Sequence, residues 1–154
     1  MVGVAKKLVR NKLIDFQKKI ADISFLLTSQ QNEHNQREKE LNLELFDILD
    51  SFENTFNLIQ EKESSWEKSA QMSMKTFRSI YKKLLRVLFE RGVEQIEFPA
   101  NKAVIGLCKV VETRVMPGIE NEYILSVVKK GYKKRTGEVI RPAEVVTVLN
   151  LPLR

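Results

Sequence analysis

Between Val9 and Ile59 the chain contains neither proline nor glycine. Over the first part of that run apolar residues fall at Val9, Leu13, Phe16, Ile20, Ile23 and Leu27, with spacings alternating between four and three. That alternation is the seam of a coiled coil. One helix across the whole run would be roughly 75 Å long at 1.5 Å per residue. A chain of 154 residues cannot bury so long a helix by itself. The seam therefore predicts a partner, and a second copy of the chain supplies one most simply.

The same register continues through Gln30, His34 and Arg37, so the seam is polar between about Ser29 and Glu40. Two readings stand for this stretch. It is a solvated, loosely paired part of a coiled coil, or a weak point that frays on warming and offers Gln30 and Arg37 to another protein. The seam then returns, broader, with Leu41, Leu45, Ile48, Leu49, Phe52, Phe56 and Ile59.

A second helix is predicted from Ser64, which with Glu67 has the pattern of a capping box. Its apolar set is Met74, Phe77, Tyr81, Leu84 and Leu88, and Gly92 is placed to end it as a left-handed cap. Two helices with broad apolar faces and a short link predict an antiparallel hairpin, and two such hairpins make a dimeric four-helix bundle. Leu41, Leu45, Ile48, Phe52, Phe77, Tyr81, Leu84 and Leu88 are the expected dimer interface. The aromatic residues on these faces read as core.

After Gly92 the period changes to two. Val93 to Phe98 alternates, and Val104 to Val111 is a bounded apolar run; both read as strands. Met116-Pro117-Gly118 reads as a turn. Two strand runs follow, Tyr123 to Tyr132 and Val139 to Val148, joined by a polar turn through Gly137. Gly131 marks a kink or a close approach of another backbone, and Pro142 marks an edge or a bulge. The predicted fold is α+β, with a long helix over 1–62, a second bundle helix over 63–92 and a small β-rich module over 93–154. A β core that small is marginal alone and needs the helices for support.

Composition excludes several functions. The only histidine is His34 and the only cysteine is Cys108, so no metal-ligand spacing exists and no serine or cysteine nucleophile has a histidine base nearby in sequence. No Gly-rich phosphate loop is present. Glu61 and Glu63 read as solvated linker acids. No enzyme, cofactor, metal or small-molecule substrate is expected. A single cysteine fits a reducing compartment, and the expected location is cytoplasmic. The chain carries a net charge of +6. Its first fourteen residues hold Lys6, Lys7, Arg10 and Lys12 with no acid, which reads as a basic helix start rather than a transit peptide.

Lys130-Gly131-Tyr132, a short turn containing Gly137, then Ile140-Arg141-Pro142-Ala143 and a valine-rich end resemble the GrpE family, nucleotide exchange factors for DnaK-type 70-kDa chaperones. Leu45-Phe46-Asp47-Ile48-Leu49-Asp50-Ser51-Phe52-Glu53 is similar to that family's Leu-Leu-x-Val-Leu-Asp-Asn-Leu-Glu. Leu84 to Ile96 is similar to its Leu-x-x-x-Leu-x-x-x-Gly-Val-x-x-Ile. The resemblance covers about residues 35–150. It implies a homodimer that binds the nucleotide-binding domain of the chaperone. Val128, Lys129, Lys130, Tyr132, Arg141 and Pro142 would lie against one lobe, and the helix near Arg37 against the other. Packing inside the module is the competing role for Val128 and Tyr132. The chain departs from the family at Asn101 to Leu107, where Asp-Pro and His are missing, at Glu138, in a turn one residue longer, and in being basic. The alternative is a dimeric coiled-coil adaptor of the same fold that docks on acidic surfaces, nucleic acid or membrane, without exchange activity.

Overall fold

The computed structural model describes residues 1–60 and 65–150. The chain forms two compact units, 1–41 and 42–154. The first is the N-terminal part of helix α1, which spans Val2–Ile59. Its seam residues Val9, Leu13, Phe16, Ile20, Ile23 and Leu27 are all exposed in the single chain.

The second unit holds the end of α1, helix α2 (Lys68–Glu90) and six strands. The two helix segments run antiparallel. Phe56 meets Tyr81 edge-on at 5.6 Å, while Leu45 and Leu49 share a small cavity with Leu84, Val87 and Leu88. The predicted capping box is corrected. Glu67 is itself the N-cap of α2 and makes no side-chain capping bond. Gln71 secures the first turn instead, donating through Nε2 to the Trp66 carbonyl at 3.1 Å. Ser64 and the acids Glu61 and Glu63 lie outside the described residues, as does the expected boundary at 62/63. At the other end Gly92 takes a φ of 78° and closes the helix, donating its N–H to the Phe89 carbonyl at 2.9 Å. This is the conformation a Cβ disfavours.

The strands form two three-stranded sheets. In the first, β4 (Tyr132–Lys134) lies between β1 (Val93–Gln95) and β5 (Val139–Arg141), both antiparallel to it. In the second, β6 (Ala143–Val148) lies between β2 (Cys108–Arg114), parallel to it, and β3 (Ile124–Lys129), antiparallel. Two sequence expectations need correction here. The strand read at Val104 to Val111 begins at Cys108 and runs to Arg114. The four residues before it turn back, with Leu107 and Cys108 both donating to the Val104 carbonyl and Gly106 at a φ of 87°. The closing hairpin is also not one ladder. Its two arms both leave one sheet and enter the other, at Lys130–Gly131 and at Pro142.

Each sheet has its own core. Phe46 and Leu49 of α1, Leu88 of α2, Val93, Tyr132 and Ile140 pack together under the first sheet. Ile124, Ala143 and Val145 form the second core, covered by Phe98, Ala103 and Cys108. Gly131 makes the crossing between the sheets possible. A Cβ there would stand 2.4 Å from the Ala143 backbone nitrogen and 2.9 Å from its Cα. Pro142, with no N–H, sits where no ladder bond is required. Backbone atoms cannot move aside as a flexible side chain can. Gly131→Ala is therefore expected to destabilise the protein by about 1–3 kcal/mol, read as a lower midpoint in urea with unchanged slope.

Candidate functional site: the crossings between the two sheets and the face beside them

Three carboxylates stand one turn apart along α1, at Asp47, Asp50 and Glu53. Three cations of the hairpin meet them. Arg141 donates to both Asp50 oxygens, Nη1 and Nη2 each at 2.8 Å, with Asp47 at 3.6 Å. Lys129 lies 3.4 Å from Asp50 and 3.6 Å from Asp47. Lys130 lies 2.9 Å from Glu53 and donates to the Tyr81 hydroxyl at 3.2 Å. The Arg141–Asp50 pair is held away from solvent, with side chains 12% and 15% exposed. It has the planar two-bond geometry that a guanidinium gives and an ammonium cannot.

Arg141 does more than pair. Its Nη2 and Nε also donate to the Lys130 carbonyl, at 2.7 and 3.2 Å. Its guanidinium lies 5.3 Å from the Phe46 ring centre and 5.4 Å from that of Tyr132. Those two rings stack at 4.0 Å and 8°. Tyr132 is 1% exposed, and its hydroxyl has no hydrogen-bond partner among the described residues. Tyr81 donates a short bond to Glu53. Burial pushes the phenols of Tyr81 and Tyr132 well above the ordinary range, with Glu53 adding to both. Both stay neutral, so Tyr81 remains a donor at any physiological pH.

Val128 is placed quite differently. In β3, Val127 opposes Val145 and Lys129 opposes Glu144. Val128 is thus the extra residue of a β-bulge, which breaks the in-out alternation. Val127 and Val128 consequently both face outward, at 45% and 59% exposure. Beside them a cleft of ≈ 380 Å³ opens toward α1, lined by Asp47, Asn54, Asn57, Lys129 and Glu144 among others. Pro142 is exposed.

The structure thus brings Val128, Lys129, Lys130, Tyr132, Arg141 and Pro142 into one region. Arg37 is elsewhere, in the first unit, exposed and 3.6 Å from Glu33 on its own helix. The expected interface residues also divide. Leu88 is buried in the single chain, Leu45, Phe52, Tyr81 and Leu84 are half-buried, and Leu41, Ile48 and Phe77 are exposed. Ile48, Phe52, Phe56, Met74 and Phe77 line an open apolar groove of ≈ 310 Å³. Sequence reasoning missed the anionic row Asp47, Asp50 and Glu53, although its regular three-residue spacing was there to read. It also missed the bulge at Val128, for which no local signal exists.

These features define an α+β protein with a small β-module braced on a helix pair and exposed valines at one edge. The GrpE family profile matches residues 7–148, and the chain belongs to the GrpE family. Protein GrpE of Clostridioides difficile (strain 630) is 30% identical over 102 residues, covering 66% of this chain and 46% of that relative. Protein GrpE of Alkaliphilus oremlandii (strain OhILAs) is 32% identical over 103 residues, covering 67% of this chain and 51% of that relative. The chain spans about half the length of the curated relatives it matches. No described helix is long and apolar enough to cross a membrane.

A buried hydroxyl with no partner costs about 1–3 kcal/mol. Tyr132→Phe keeps the ring stack and removes that cost. It is expected to leave stability unchanged or raise it by about 1 kcal/mol, measured by chemical denaturation.

Proposed function

We propose that this chain is a homodimeric co-chaperone that binds the nucleotide-binding domain of a DnaK-type chaperone and accelerates ADP release. Family membership carries the reading, and the outward pair Val127 and Val128 beside a braced hairpin supports it. The division of labour follows the predicted one. Residues 1–62 and 63–92 pair the two copies, and 93–154 engages the chaperone. Val128 and Pro142 supply apolar contact, while Lys129 and Lys130, each partly accessible, border it. Tyr132 and Arg141 hold that surface in place, and Arg37 belongs to a second contact on the long helix. No bond is made or broken. Binding favours the open nucleotide cleft, so by linkage it weakens ADP, and ADP weakens the co-chaperone by the same factor. The setting is cytoplasmic, and no cofactor takes part.

Val128→Asp puts a charge into an apolar contact while leaving a residue that is exposed in the free protein. Stopped-flow release of a fluorescent ADP analogue from the chaperone should lose at least about tenfold of its acceleration, a barrier change of about 1.4 kcal/mol. Removal of residues 1–12 should leave the acceleration nearly intact at physiological salt, because screened lysines on a helix end tune encounter more than affinity. The reverse pattern would favour a basic adaptor without exchange activity.

The dimer rests on the exposed apolar seam of α1 and on the groove between the helices. Phe77, 48% exposed in one chain, is the cleanest test. Phe77→Asp should give a monomer in sedimentation equilibrium at micromolar concentration where the unsubstituted chain is a dimer, since the partner would have to bury an unpaired charge. A monomer in both would reject the dimer.

A further inference from the structure

We propose that Arg141 is a positioning residue that closes a neck between the two sheets and so fixes the direction in which the β2–β6–β3 sheet points from the helices. The sheet carrying Val128 has its own core, Ile124, Ala143 and Val145. It contributes no buried residue to the core formed by Phe46, Leu49 and Leu88 with the first sheet. The first sheet is fastened to the helices by apolar packing. The second is fastened to the first by chain crossings.

Two of those crossings are only one or two residues long, Lys130–Gly131 and Pro142, and they run side by side, so close that a Cβ on Gly131 would stand 2.4 Å from the Ala143 nitrogen. Such a neck has few torsions but little to resist bending. Arg141 supplies the resistance. One face of its guanidinium fork takes the Lys130 carbonyl of the first crossing. The other takes both oxygens of Asp50 on α1. Arg141 itself immediately precedes the second crossing. A single planar group therefore ties both crossings to the helix, and the stacked Phe46 and Tyr132 rings hold that plane. Lys129 and Lys130 add guys to Asp47, Asp50 and Glu53.

This rests on the exchange reading for its consequence but not for its geometry. A protein that pries a cleft must transmit force through this neck. Loosening it should cost more in maximal acceleration than in binding, since the same surface remains available.

The decisive variant is Arg141→Lys, which keeps the charge but cannot span Asp50 and the Lys130 carbonyl together. Asp50→Asn is the second, in case the first fails to fold. Spin labels at Asn57→Cys on α1 and Thr113→Cys on β2, in a Cys108→Ser background, report the angle by pulsed electron resonance. Dilution with unlabelled chain restricts the signal to one copy. The unsubstituted neck should give one narrow distance distribution. Both variants should broaden it while circular dichroism is retained, and Lys102→Gln, which breaks the remote pair with Glu120, should not. In ADP release Arg141→Lys should lower the maximal acceleration roughly tenfold with a much smaller change in half-saturating concentration. Unchanged distributions in both variants overturn the proposal. Broadening in a protein that never accelerates ADP release would leave the neck standing and reject the exchange reading instead.

Discussion

The pairing of Arg141 with Asp50 is the contact on which the second unit turns. Among the described residues most ion pairs have at least one exposed side chain, and such pairs contribute little. This one is shielded, two-pronged and set beside the stacked rings of Phe46 and Tyr132. Its donors are shared with a backbone carbonyl, so no prong of the fork is idle. Removing Arg141 would leave Asp50 with the more exposed Lys129, and removing Asp50 would leave Arg141 with the exposed Asp47, so the loss falls short of the cost of a wholly uncompensated buried charge, about 3–5 kcal/mol. The arrangement explains why arginine and not lysine stands here, and why Asp50 recurs as the common acceptor of two hairpin cations.

Around that contact the packing divides into two small cores. Neither sheet is large enough to be stable alone, in keeping with the scarcity of buried surface in small domains. The first sheet solves this by resting Tyr132 and Ile140 on Phe46 and Leu49. The second closes over Ala143 and Val145 and relies on the crossings. Gly131 and Pro142 are the two residue types such crossings need, one because no side chain fits and one because no ladder bond is wanted. Bulges at Val111, Leu125 and Val128 bend and twist the strands of this sheet, and the last of them turns a valine outward.

The helices show a second division. Phe46, Leu49, Met74 and Leu88 are spent inside one chain. Ile48, Phe77 and the seam from Val9 to Leu27 are not. The helices thus present two faces, one bracing the β-module and one leaving apolar surface exposed in the single chain. A broad stripe can do this where a narrow one cannot.

The order of elements was legible in the amino acids alone. The four-three spacing announced the long helix, Gly92 its partner's end, and the change to period two the β-module. Gly131 and Pro142 were legible as special positions because their backbone chemistry is local. The role of Glu67 at the start of α2 and the strand start at Val104 were misread, since propensity favours several nearby boundaries almost equally and packing chooses among them. What only tertiary structure decided is non-local. The hairpin arms pair in two different sheets, Arg141 reaches Asp50 across ninety-one positions, and Val128 is exposed because of a bulge in its pairing with β6. Periodicity reports which residues prefer burial. It carries no information about which distant segment buries them, because that depends on how the chain closes its loops and not on any one stretch of it.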